Sequence, residues 1–199
     1  MARNGYRTIR GKLRYTSKKP ERLNEERGRE YFTLTQQPDG TDVLLAHCEI
    51  DDAPAVIRDV SQSLDHKTSE PKDCSVRLTV GDRFEGSGWF RFTNNYVECE
   101  TFNHRDGRIT QKIEIEDKIR WMQCHPIVGD GLLMKVFDLS QGPGKQRINN
   151  MMLSSPDHRG ATGPIRRPRP RVLRLGYAPD QRLPRLGGRR RPRPVQPGV

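Results

Sequence analysis

The sequence predicts a mainly β protein: an antiparallel meander forming a curved sheet or partial barrel, with an irregular capping segment and a disordered C-terminal tail. Three observations carry this. Apolar and polar residues alternate in successive short runs between residues 6 and 116. Gly, Pro, Asn and Asp cluster between those runs as turn signals. Helical periodicity is slight over the same stretch.

The elements follow in order. YRTIRGKLRYT (6–16) alternates and reads as a strand, whereas KKPERLNEERGRE (18–30) is charged and reads as a loop or one exposed helical turn. EYFTLTQ (30–36) and DVLLAHCEI (42–50) flank QPDGT, in which Pro38 presets φ and Gly40 tolerates a positive φ, so the pair reads as a hairpin. DDAP turns the chain into AVIRDVSQSLD (55–65). CSVRLTV (74–80) places Cys74, Val76, Leu78 and Val80 on one face. After Gly81-Asp82, RFEGSGWFRF (83–92) puts Phe84, Phe90 and Phe92 on one face, with Gly86 and Gly88 between them. YVECETF (96–102) and RITQKIEIE (108–116) complete eight candidate strands. Burial of Val76, Leu78, Phe90, Phe92, Ile113 and Ile115 on one continuous face is the resulting expectation.

Glycine inside a strand weakens it, and marks a sharp bend or room for another group. Gly86 and Gly88 therefore read either as a barrel corner or as floor space for a ligand, alongside Phe90. Trp89 falls on the opposite face, between Arg83 and Arg91 on its own strand, and is the candidate aromatic contact.

From Asp117 the alternation fades. KIRWMQC reads as a short helix stopped by Pro126, GLLMKVFDL as a short strand or helix, and QGPGK as a loop. Residues 117–163 thus form a capping segment over one end of the sheet, of the kind that tends to carry function. His125, Asp130, Asp138, Asp157, His158 and Arg159 gather here. A histidine beside a carboxylate can perform acid/base work near neutral pH, so His125, Asp130, Asp157 and His158 are the candidate catalytic residues. Arg159 with His158 is a candidate anion contact. Turn capping and surface charge are the structural alternative for all of them.

Charge divides the chain at residue 163. Of 36 Lys+Arg and 25 Asp+Glu, residues 164–199 hold 11 Arg, no Lys and one acid, which leaves 25 bases against 24 acids for residues 1–163. The basic character belongs to the tail, which also holds eight of the 15 prolines. Pro at that density forbids regular helix or central strand. The tail reads as an Arg-rich arm that neutralises phosphates without sequence preference, as a passive solvated tail, or as a frameshift-derived terminus, since Arg, Pro and Gly are what an off-frame reading of a GC-rich gene yields.

Other classes fall away. No stretch approaches the roughly 20 apolar residues that span a bilayer, and MARNGYRTIRGKLRY has no apolar core of a signal peptide, so a cytoplasmic protein with reduced thiols is expected. His47-Cys48 and Cys124-His125 match no zinc spacing, and neighbours in a strand point to opposite faces, so no metal is expected. Gln146 follows Lys145 where a phosphate-binding loop needs Ser or Thr, and no G-x-S-x-G occurs. No cofactor is expected.

VRLTVGDRFEGSGWFRF, followed by VECE, resembles bacterial single-domain lipocalin-like β-barrel proteins of unknown function. The resemblance covers about residues 30–163, rests on strand rhythm and carries no catalytic residue across. It implies a meander around an apolar cavity that holds a hydrophobic small molecule. The expected function is therefore binding of a small apolar or amphipathic molecule in a β-barrel-like cavity. The alternatives are a cofactor-independent enzyme acting on such a molecule through His125 or His158, and non-specific nucleic-acid binding through the tail.

Overall fold

In this computed structural model, residues 7–124, 126–142, 144–153, 160–165 and 168–175 are described. Eight strands form one antiparallel meander: β1 (Arg7–Thr16), β2 (Glu26–Gln36), β3 (Thr41–Ile50), β4 (Val56–Asp65), β5 (Pro71–Val80), β6 (Arg83–Phe92), β7 (Tyr96–Asn103) and β8 (Gly107–Glu114). Each strand pairs with its neighbours in sequence, and β8 does not return to β1, so the sheet stays open.

Local chemistry fixes the register. Gly40 takes φ +82° in the β2–β3 hairpin, where the Gln37 amide donates to the Thr41 carbonyl at 2.7 Å. In the β7–β8 turn the Asn103 carboxamide oxygen accepts from the Arg105 and Asp106 amides at 3.0 and 2.8 Å, an Asx turn that Gly107 completes at φ +69°.

One face is buried. Leu44, Ala46, Val60, Leu64, Cys74, Val76, Leu78, Phe90, Val97 and Cys99 line it, while Phe92 and Ile115 pack at its edge and Ile113 is half-buried. Residues 119–124, 151–152 and 161 cover this face, so the concavity expected of a barrel interior is filled by the chain itself.

Six polar contacts tie that cover to the sheet and its turns. Glu30 accepts from the amides of Ile127 and Val128 at 2.8 and 3.0 Å, and Asp42 pairs with Lys135 at 3.0 Å. The Gln62 side chain donates to the Met122 carbonyl at 3.0 Å, Arg120 pairs with Glu70, and the Asn103 side chain donates to the Thr162 carbonyl at 2.8 Å. Buried polar groups need partners, and Glu30, Asp42, Gln62 and Asn103 each find one in the segment laid over them.

Several expectations change. A 3-10 turn occupies Pro20–Arg22, but β2 already begins at Glu26, inside the stretch read as a loop. Phe84 leaves the face of Phe90: a bulge between Leu78 and Thr79 sets Gly86 opposite Leu78 and Phe84 opposite Thr79, skipping Glu85. The extra residue inverts the alternation, and Phe84 stacks on Phe102 and under the Arg77 guanidinium on the outer face.

KIRWMQC is no helix. β9 (Trp121–Gln123) pairs in parallel with β10 (Gly144–Leu153), and the strand's alternation sends the buried Trp121 and Met122 into two separate clusters, with Leu64 and Met151 on one side and Cys74, Phe90 and Met152 on the other. GLLMKVFDL is mostly helical: α1 (Ile127–Leu133) runs into a 3-10 turn at Met134–Val136. Within the expected tail, β11 (Arg169–Leu175) pairs antiparallel with β10, so for these seven residues a paired strand replaces a chain without regular structure. Residues 176–199 lie outside the described residues.

Candidate ligand pocket

The sequence-derived site residues do not meet in one place. His125, Asp157, His158 and Arg159 lie outside the described residues. Asp130 is exposed on α1 and accepts from the Gln123 side chain. Phe90 is 0% exposed in the core. Gly86 and Gly88 do make room for another group, and that group is the chain: a Cβ on Gly88 would sit 1.9 Å from the Ala161 carbonyl oxygen, and one on Gly86 2.9 Å from the Thr162 Cβ. Trp89 stands on the opposite face, 45% exposed.

What the fold does bring together is a group of three buried polar side chains, Glu30, Cys48 and Arg58, side by side on the covered face. Register aligns Leu13, Glu30, Cys48, Arg58 and Leu78 across β1 to β5. Glu30 is 0% exposed and Arg58 8%. The Tyr15 hydroxyl donates to Glu30 at 2.5 Å, and the same carboxylate caps the first turn of α1. That turn has no local side-chain cap, because Pro126 precedes it.

Beside this row lies a pocket of about 430 Å3, within the range of about 300–1,000 Å3 usual for small-molecule sites. Tyr15, Cys48 and Arg58 supply its polar inner wall; Ile50, Val56 and Ile127 supply apolar surface. Arg14 and Arg27 also line it, and Arg27 is ion-paired with Asp52.

Burial sets the electrostatics. Desolvation lowers the pKa of Arg58, because taking a guanidinium out of water disfavours its charge. Burial, then the Glu30 charge, pushes the Cys48 thiol up to about 12. Burial and the hydrogen bond to Glu30 drive the Tyr15 hydroxyl well above its ordinary value. At neutral pH the pocket therefore presents a neutral thiol, a neutral phenol held as a donor, and a guanidinium that stays charged.

A second concavity, of about 680 Å3, crosses β1–β5 on the outer face. Tyr31, His47, Asp59 and Arg77 flank it on one side, and Leu45 and Ser75 on the other. His47 Nδ1 lies 2.6 Å from Asp59 and Nε2 lies 3.2 Å from Glu49, and the Asp59 hydrogen bond raises the histidine pKa. His47 and Cys48 thus serve opposite faces. Among the described residues, no three His, Cys, Asp or Glu side chains are grouped to hold a metal ion. No helix among them is long and apolar enough to cross a membrane.

Tyr15, Glu30, Cys48 and Arg58 escaped the sequence reading, although a signal was present. Val56, Arg58, Val60, Gln62 and Leu64 share one parity in β4, so a guanidinium stands in the apolar phase of an alternating strand. Glu30 stands likewise in phase with Phe32 and Leu34. No protein-family model, curated protein or solved structure matches this chain.

Proposed function

We propose that the protein binds a small amphipathic anion, such as a carboxylate on a short apolar chain, in the pocket between β1, β3, β4 and α1. The observation that carries this reading is the buried guanidinium of Arg58 in the wall of a pocket that also has apolar surface. A guanidinium matches a carboxylate or phosphate with a planar fork of donors. In a partly desolvated site the contact is stronger than in water. Folding has already paid for desolvating Arg58, so an anion meets a preorganised partner. Tyr15 adds a phenol to the same wall, and Ile50, Val56 and Ile127 take the apolar part.

Binding fits the site better than catalysis. A thiol pushed up to about 12 is a poor nucleophile at neutral pH, and Tyr15 is committed to Glu30. The resemblance to lipocalin-like barrels points the same way, with the pocket at one end of the sheet in place of a central cavity.

The test is a calorimetric titration with three ten-carbon probes that differ only in head group: decanoate, decanol and decyltrimethylammonium. Decanoate binds best, the alcohol at least about tenfold more weakly, and the cation not at all. Ile127→Trp, which fills the pocket from a half-exposed wall position, abolishes decanoate binding. Equal affinity for all three probes, or undiminished binding by Ile127→Trp, overturns the reading.

A further inference from the structure

Two sulfur atoms meet at the centre of the molecule. Cys74 on β5 and Cys124, just after β9, place their Sγ atoms 3.1 Å apart. Both thiols are buried and free in this structure. That separation is only about 1 Å longer than a covalent S–S bond of roughly 2.05 Å. The backbone around them is held in place independently: Gln62, the register partner of Cys74, donates to the carbonyl of Met122, two residues before Cys124. Cys124 itself contacts the same carbonyl at 3.6 Å. The other two cysteines are placed differently: Cys48 lines the ligand pocket, and Cys99 contacts Gln111 at 3.8 Å.

We propose that Cys74 and Cys124 form a dithiol–disulfide pair that locks the capping segment covalently onto the sheet. The oxidant class is a low-molecular-weight disulfide. The Cys124 thiolate attacks one sulfur of that disulfide, forming a mixed disulfide and releasing one small thiolate. The Cys74 thiolate then attacks Cys124 Sγ and displaces the second small thiol. Two protein thiols and one external disulfide become one protein disulfide and two small thiols, and the protons of both cysteines go to the released thiols. Cys124 acts first because it lies on the cover, at the end of a three-residue strand, whereas Cys74 lies in the central sheet. The close Cys124 sulfur, together with burial, holds Cys74 as a thiol well above its usual range. Exchange therefore proceeds when the cover lifts, and closure brings the two sulfurs into line.

The crosslink spans 50 residues of chain. A loop of that length predicts a rise of about 10 °C in melting temperature on oxidation. The experiment incubates the full chain with oxidised glutathione, then denatures it, blocks remaining thiols with N-ethylmaleimide and maps peptides by mass spectrometry. The expected result is a Cys74–Cys124 linked peptide, two of the four cysteines blocked, and a melting shift that dithiothreitol reverses. Cys124→Ser loses both the crosslink and the shift. Should that variant not fold, Cys48→Ser/Cys99→Ser must still crosslink completely. Four blocked cysteines after oxidation, or a linkage through Cys48 or Cys99, overturns the proposal.

Discussion

The Tyr15 hydroxyl donates to the buried Glu30 carboxylate at 2.5 Å, and that carboxylate also caps the first turn of α1. One acid thus joins β1, β2 and the capping segment. Removing the phenol oxygen leaves Glu30 one donor short inside the protein. Tyr15→Phe is expected to cost about 1–3 kcal/mol in urea unfolding at pH 7. Alkaline pH provides an internal check. The folded pKa of Tyr15 lies above its unfolded value, so its contribution is intact below about pH 10 and is lost as pH rises further. The stability gap between wild type and Tyr15→Phe should therefore narrow above pH 10. A gap that stays constant to pH 11 would contradict the assigned hydrogen bond.

Leu78→Asp is expected to unfold the protein or cost more than about 3 kcal/mol, because Leu78 is wholly buried and the change loses core packing and takes a carboxylate out of water, which its register partner Arg58 offsets only in part. Arg77→Ala, one residue earlier on the exposed face, should cost only about 1 kcal/mol through loss of its contact with Phe84. Similar melting curves for the two variants would mean that the strand presents the opposite face.

Much of this fold was legible because period-two alternation survives wherever one sheet face is buried and the other is wet. Leu78 and Phe90 are examples, and both sit where alternation places them. Phe84 departs from simple alternation because a bulge adds one residue: the glycines of RFEGSG signal an irregularity but not the residue at which the register slips. β9 is too short, at three residues, to display a period, and β11 carries Pro170 and three arginines in a proline-dense stretch that argues against a strand. The pocket was hidden for a different reason. Arg58 and Glu30 each stand singly in an apolar phase, on strands far apart in sequence, whereas the ionisable residues of the capping segment cluster within the sequence itself.

Gly88→Ala is expected to lower stability by about 1–3 kcal/mol, since the added methyl would collide with the Ala161 backbone. Gly131→Ala, on α1 with open space around it, should stabilise by up to about 1 kcal/mol. Thermal melts of both single variants test this. A neutral Gly88→Ala would mean that residues 160–162 do not rest on β6.

His47 provides a pH signature on the outer face. Its pKa is raised chiefly by the Asp59 hydrogen bond, so its stabilising contribution is fully present below the unfolded value of about 6.5. The contribution fades as pH rises through the folded value. His47→Gln should therefore be less stable than wild type at pH 5.5 and close to it at pH 8.5. A difference that grows with pH would contradict the pairing.

The most direct measurement of the central claim compares decanoate and decanol binding in wild type and in Arg58→Met by calorimetry. Methionine keeps much of the length and apolar character of the arginine stem while removing the guanidinium. The account predicts that wild type prefers decanoate by at least about tenfold, or about 1.4 kcal/mol, and that Arg58→Met loses this preference while its decanol affinity is unchanged or higher. A folded Arg58→Met variant that still prefers decanoate tenfold would contradict it.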